Sequence, residues 1–212
     1  MEKKLDTKII KRFRDIMNDP DNSDILSDRN GIDDYSFICS QVDWIEAWVN
    51  ELEKINIKAD GFHTRTVNQS QLILGVDMIV SASKNLLDYF NFDTAQLEKD
   101  KSIFKESITD YKYFKRIRSI FAIHPIDINI RTRKTREKKF ASWSANAFRT
   151  DDITVHLYSQ VPNTSTERVT IGREQLIDFS LMWYKELQTL NDYFKSNGTI
   201  FKTNNSLGIE PI

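Results

Sequence analysis

The sequence predicts a mainly α fold, a bundle of about five helices that carries a small antiparallel β insertion (α+β overall). Glycine (6) and proline (4) are scarce among the 212 residues, which favours helices over a turn-rich all-β fold. Apolar residues recur with helical spacing in the N-terminal half and near the C-terminus, and they alternate like a strand in between. We therefore expect one domain over 1–212, with a helical bundle formed by 1–125 and 173–196 and a β insertion at 126–172.

Five segments have apolar residues repeating every three or four positions, the spacing that places them on one face of a helix. Pro125 is expected to end the fourth of these helices, because the residue before a proline avoids the α conformation. The stretch NDPDNSD is expected to end the first helix. The predicted helices are 5–18, 34–55, 66–90, about 102–123 and 173–196.

The β insertion is predicted from a change of period to strict alternation. The stretches PIDINIRTR, DITVHLYS and ERVTIG alternate apolar and polar residues, as half-buried strands do. KKFASWSANAF is a weaker strand candidate, and QVPNTST has the composition of a hairpin loop. These stretches predict a small antiparallel sheet between helices.

Composition restricts the classes of partner. The formal net charge of −1 provides no overall attraction for nucleic acid or an anionic membrane, so such a ligand needs a local basic patch. The single cysteine, Cys39, rules out an intrachain disulfide, and we expect a buried structural thiol. With no signal-peptide core and no apolar run long enough to span a membrane, we expect a cytoplasmic protein with no membrane partner.

The stretch FKRIRSIFAIHPID places Arg118 and His124 six positions apart at the end of the fourth helix. On a straight α-helix their side chains would lie about 120° apart around the axis and about 9 Å apart along it. One helix therefore could not close both groups on one phosphate. Two copies related by a two-fold axis could line a shared cleft, so we expect a homodimer.

These two residue types suit the cleavage of RNA. The imidazole of histidine can take the proton of a 2′-hydroxyl or give one to a leaving oxygen. Arginine carries a fixed charge and a forked set of donors that bind a phosphate and stabilise the charge of the transition state. This chemistry needs no metal and no cofactor, and the sequence contains no HExxH or CxxC motif.

An arginine, a polar residue and a histidine near the end of a helix resemble the signature of HEPN-domain ribonucleases. Arg118, Ser119 and His124 carry the resemblance. It implies a dimeric, metal-independent RNA endonuclease, as in toxin–antitoxin, abortive-infection and CRISPR-associated systems, and an antitoxin or other protein as a possible partner. His124 would be the general acid/base, Arg118 would bind the scissile phosphate, and Ser119 would orient one of them. The β insertion departs from the simple helical bundle of that family.

A basic run, RTRKTREKK at 131–139, follows the motif and could hold an RNA backbone. Phe140 and Trp143 could stack on bases, or they could belong to the core. The RNA-binding candidates are Arg131, Arg133, Lys134, Arg136, Lys138 and Lys139.

Three alternatives stay open. His124 could simply cap its helix, while Arg118 pairs with Asp110, Glu106 or another acid. The chain could be a non-catalytic protein that dimerises or binds a partner through aromatic helices, such as the one that carries Trp44 and Trp48. It could also be a sensor that binds a small ligand beside the sheet.

Overall fold

The computed structural model describes residues 5–27, 33–123, 128–131, 136–143 and 152–197. Within these residues the chain forms seven α-helices and a small antiparallel sheet, which confirms the predicted mainly α fold class. A short 3-10 helix, Leu52–Lys54, and a π-helix, Ser119–Ile123, complete the helical part. The helices are α1 Thr7–Met17, α2 Pro20–Ser27, α3 Asp34–Glu51, α4 Phe62–Tyr89, α5 Ala95–Lys99, α6 Asp110–Arg118 and α7 Arg173–Asn197.

The four strands follow one another in the sheet in chain order, each antiparallel to the next. The weaker candidate KKFASWSANAF supplies the second strand, and QVPNTST lies between the last two as predicted. Ile153, Val155 and Leu157 are buried, so they form the core side of the third strand. The strands are β1 Ile128–Arg131, β2 Arg136–Trp143, β3 Asp152–Ser159 and β4 Glu167–Gly172.

Two predicted boundaries are wrong. The chain does not stay irregular after α1, because Pro20 opens α2, and proline suits the first position of a helix, where no amide hydrogen bond is required. The helix predicted from about Ser102 starts only at Asp110. Thr109 caps it by accepting a hydrogen bond from the amide of Lys112, and such a cap fixes the first turn.

The buried carboxylate of Asp110 explains why the chain before α6 is not helical. It is fully buried and accepts hydrogen bonds from the amides of Ile103 and Phe104, at 2.9 and 3.1 Å. The amide of Asp110 in turn donates to the carbonyl of Asp100. These bonds satisfy the polar backbone of a compact turn that a helix would otherwise have satisfied.

The chain divides into two compact units. One comprises Met1–Glu51, Met78–Thr94 and Leu181–Ile212. In it the rings of Phe13, Phe90 and Phe194 lie 5.0 to 6.2 Å apart, centre to centre. Cys39, expected to be buried, is half-buried there.

The other unit comprises Leu52–Asp77 and Ala95–Ser180, and it includes the sheet. Phe179 contacts the rings of Phe104 and Phe114 in its core. The single domain predicted over 1–212 stays a prediction. In the described segments, no helix combines the length and the apolar character that crossing a bilayer requires.

Candidate functional site

The helix that carries the predicted motif changes its winding at the motif. Phe114, Ile117 and Phe121 are buried, which confirms the predicted apolar stripe. From Ser119 to Ile123, however, the chain forms a π-helix. The spacing estimated for a straight α-helix therefore does not hold across the motif, since a π turn bonds residue i to i+5. Single π turns inside α-helices are frequent at functional sites.

Arg118 is the last residue of α6 and forms an ion pair with Asp77 of α4. Its Nη1 donates to both carboxylate oxygens, at 3.0 and 3.1 Å. The Asp77 side chain is 9% exposed and that of Arg118 is 32% exposed. Of the partners predicted for Arg118, which were Asp110, Glu106 or another acid, the structure shows another acid, Asp77. The Asp110 carboxylate caps backbone amides instead, so it cannot serve the arginine as well.

Asp77 lies among buried apolar residues, where the lost hydration of a carboxylate costs free energy. Its neighbours Val76, Ile79 and Val80 are buried apolar residues of α4. A carboxylate at such a position needs a cation or several hydrogen bonds to offset the loss of hydration. Sequence reasoning missed Asp77, although a lone acid inside LILGVDMIV was a usable signal.

Asp77 holds the Arg118 guanidinium through one of its nitrogens. Asp77 uses Nη1, and Nε is buried without a hydrogen-bond partner in the described part of the chain. An arginine has five N–H donors in a rigid fork, so pairing through Nη1 fixes the orientation of the remaining donors. The half-buried guanidinium is therefore anchored through Nη1 to a buried carboxylate.

The remaining motif residues are placed only in part. Ser119 is half-buried, and its amide faces the carbonyls of Lys115 and Arg116 at the end of α6. His124, Arg133 and Lys134 lie outside the described residues. The predicted meeting of Arg118 with His124 thus stays a prediction.

The basic run spans the β1–β2 connection. Arg131 ends β1 and is the register partner of Arg136, where β2 begins. Lys138 is exposed. Lys139 is 15% exposed, and its Nζ lies 2.9 Å from Oε2 of Glu167. Lys139 is therefore part of an ion-pair network inside this unit.

Arg116 completes that network, because its Nη2 lies 2.8 Å from Oε1 of Glu167. The hydrogen bond from Lys139, together with the charges of Lys139 and Arg116, lowers the pKa of the Glu167 carboxyl, against a smaller opposing effect of burial. Glu167 was not singled out from sequence, since an acid at the start of a strand carries no distinguishing pattern.

The two aromatic candidates of β2 separate. Trp143 contacts Phe121 edge to face, with ring centres 5.6 Å apart, and is half-buried on the core side of the sheet. Phe140 is 38% exposed. Its register partner on β3 is Tyr158, which is 48% exposed. Sequence reasoning placed Tyr158 on the polar side of its strand without giving it a role.

The other aromatic surface lies on α3. Trp44 is 52% exposed and Phe37 is 39% exposed, whereas Trp48 is half-buried.

Among the residues that the structure describes, no group of three His, Cys, Asp or Glu side chains is placed to hold a metal ion. An open groove of about 600 Å³ lies in the first unit, lined by Arg12, Asp15, Ile16, Asp19, Asp21, Asn22, Phe194 and Lys195.

Comparison of the chain with models of protein families, with curated proteins and with solved structures finds no match in any of the three.

Proposed function

We propose that the protein is a HEPN-like, metal-independent RNA endonuclease that acts as a homodimer, in the manner of a toxin or a phage-defence effector. One observation carries the proposal. Arg118 is anchored by the buried Asp77 and stands at the junction of α6 with the π turn that leads towards His124. A positive charge held in one orientation by a buried carboxylate is suited to stabilise the charge of a phosphoryl-transfer transition state.

The reaction is a transesterification within the RNA strand. The imidazole of His124 takes the proton of a 2′-hydroxyl, whose oxygen attacks the neighbouring phosphorus. The bond from phosphorus to the 5′-oxygen breaks, and that oxygen leaves with a proton given by the His124 of the other copy. The products are a 2′,3′-cyclic phosphate and a 5′-hydroxyl, so no water or metal enters this step.

Arg118 would stabilise the extra negative charge on the phosphate oxygens as they form the transition state. Asp77 is a positioning residue in this scheme, since it acts through Arg118. Ser119, next to Arg118, would orient the guanidinium or the imidazole. Lys138 and the basic residues before it would hold the RNA backbone outside the cleft.

The test is cleavage of a short labelled RNA in EDTA by the purified full chain. Arg118→Ala and His124→Ala are compared with Arg116→Ala, which removes an arginine that lies two residues away and pairs with Glu167 instead. We expect wild type and Arg116→Ala to give cyclic-phosphate ends, and the other two variants to lose about 100-fold or more in rate. Equal rates in all four proteins would refute the assignment.

A second candidate function is that of a non-catalytic interaction protein, and the exposed Phe37 and Trp44 of α3 favour it. They stand seven residues apart, on one side of the helix, as anchors of a helix-mediated contact do. Sedimentation of wild type and Trp44→Glu separates the candidates. If the chain does not cleave RNA and Trp44→Glu alone turns a dimer into a monomer, this second function replaces the first.

A further inference from the structure

One face of the sheet combines exposed aromatic rings with basic side chains, and we define it as the outer face. Its pleat positions follow from the register, which pairs Phe140 with Tyr158, Ser142 with His156, and His156 with Arg168. On the opposite face Val155, Leu157, Val169 and Ile171 are buried. The outer face consists of Lys138, Phe140 and Ser142 on β2, Asp152, Thr154, His156 and Tyr158 on β3, and Arg168 and Thr170 on β4. Thr154 is buried at one end of this face, with its hydroxyl 3.0 Å from that of Thr170.

The rings of the outer face are arranged as a platform. Phe140 and Tyr158 are direct neighbours across β2 and β3, which puts their Cβ atoms about 5 Å apart. The His156 ring lies 6.4 Å from that of Tyr158, centre to centre, at an angle of 48°. Two rings of this size are usually buried in the core of a small sheet, yet these are 38% and 48% exposed.

Charge decides between possible occupants. Lys138 and Arg168 are exposed on either side of the rings. The described acid on this side of the sheet, Asp152, stands six residues from Tyr158, or about 20 Å along β3. Glu167 lies on the opposite face of the sheet, where it forms ion pairs with Lys139 and Arg116. The outer face is therefore basic around its rings, which favours a polyanion over an apolar or basic-rimmed protein surface.

We infer that the outer face binds single-stranded RNA, with unpaired bases stacked on Phe140 and Tyr158 and with phosphates near Lys138 and Arg168. Aromatic rings on an open sheet, flanked by basic residues, bind single strands because every base has a face that can stack. A paired base cannot leave its helix to do so, so duplex RNA should bind weakly. The inference shares its ligand with the proposed function but requires neither His124 nor cleavage.

The test is fluorescence anisotropy with a labelled uridine oligonucleotide of about 12 residues, within the usual site sizes. All proteins carry His124→Ala, which removes the proposed general acid/base, so the RNA stays intact. Phe140→Ala and Tyr158→Ala should each weaken binding at least about fivefold, whereas Tyr158→Phe keeps the ring and the affinity. Trp44→Ala, which removes an exposed ring from α3, is the matched control and should leave binding unchanged. Arg168→Gln should reduce the dependence of log Kd on log salt by about one.

Three outcomes would overturn the inference: equal affinity of Phe140→Ala, Tyr158→Ala and Trp44→Ala, tighter binding of the corresponding DNA than of the RNA, or equal binding of duplex RNA. Circular dichroism of each variant checks that the sheet persists. Both rings are exposed, so their loss should leave the fold intact. If the protein binds RNA but wild type does not cleave it, the proposed nuclease function is refuted and the inference about the outer face is not.

Discussion

Arg116 and Arg118 leave the same helix two residues apart, and both pair with an acid of the same unit. Arg116 is 47% exposed and meets Glu167, which is 38% exposed and also binds Lys139. Arg118 is 32% exposed and meets Asp77, which is only 9% exposed. Two residues along an α-helix correspond to about 200° of rotation, so the two arginines face nearly opposite sides of α6.

The two ion pairs differ more in the burial of their side chains than in the distance between their charged atoms. The shortest distances between charged atoms are 2.8 Å for Arg116 and 3.0 Å for Arg118, so a distance criterion would rank Arg116 first. An exposed pair is screened by water and contributes little, whereas a buried carboxylate that loses its cation cannot regain its hydration. Arg118 is therefore the arginine whose position the fold controls.

The largest effect on stability should come from Arg118→Met compared with Arg116→Met. Loss of the Arg118 charge beside the buried Asp77 should lower the free energy of unfolding by about 2 kcal/mol, less than for a fully buried pair because Arg118 is one-third exposed. Arg116→Met should cost about 0.5 kcal/mol. Urea denaturation measures both, and equal costs would contradict the importance of burial.

A smaller effect is expected at the other end of α6, where Asp110 is buried and Asp100 is half-buried. In Asp110→Asn the side-chain amide keeps one oxygen as an acceptor, and its NH₂ group faces the second backbone amide, a donor against a donor. We expect the free energy of unfolding to fall by about 1–2 kcal/mol. Asp100→Asn affects the exposed bond to the amide of Ser102 and should cost less than about 0.5 kcal/mol. If Asp100→Asn were the more damaging change, the buried cap would not be what holds the 102–109 turn.

The smallest effect concerns the pH dependence of the Glu167 network. Its contacts with Lys139 and Arg116 lower the pKa of Glu167 from 4.5. The stability they contribute is therefore present above about pH 4.5, and it is lost as the pH falls through the lowered pKa. Below this pH the free energy of unfolding, measured by urea denaturation, should decline less steeply for Glu167→Gln than for wild type, by under about 1 kcal/mol. High salt should reduce the difference. A decline as steep as that of wild type would mean that other acids dominate this range.

Sequence periodicity predicted the helices and strands well where one face is uniformly apolar, as in Phe114, Ile117 and Phe121. It failed before α6, because the buried Asp110 replaces a helical turn with backbone bonds that no apolar pattern reports. It also could not find the partner of Arg118, since Asp77 is 41 residues away and the pairing depends on how α4 lies against α6.

The aromatic residues of the sheet were predicted only in part. Alternation on β3 correctly put Tyr158 opposite the buried Val155 and Leu157. Phe140 and Trp143 are three residues apart and so lie on opposite faces, but alternation alone could not tell which of them packs towards the core. That assignment required the register with β3 and the contact of Trp143 with Phe121.

The measurement that tests the central claim most directly is single-turnover cleavage of a short RNA in EDTA by Arg118→Lys and Arg116→Lys, at matched folded fraction. Lysine keeps the charge but lacks the rigid fork that Asp77 orients. If Arg118 is the phosphate-binding residue, Arg118→Lys should fall about 100-fold below wild type while Arg116→Lys stays within about twofold. Equal rates for the two variants would contradict the claim that Arg118 acts in catalysis.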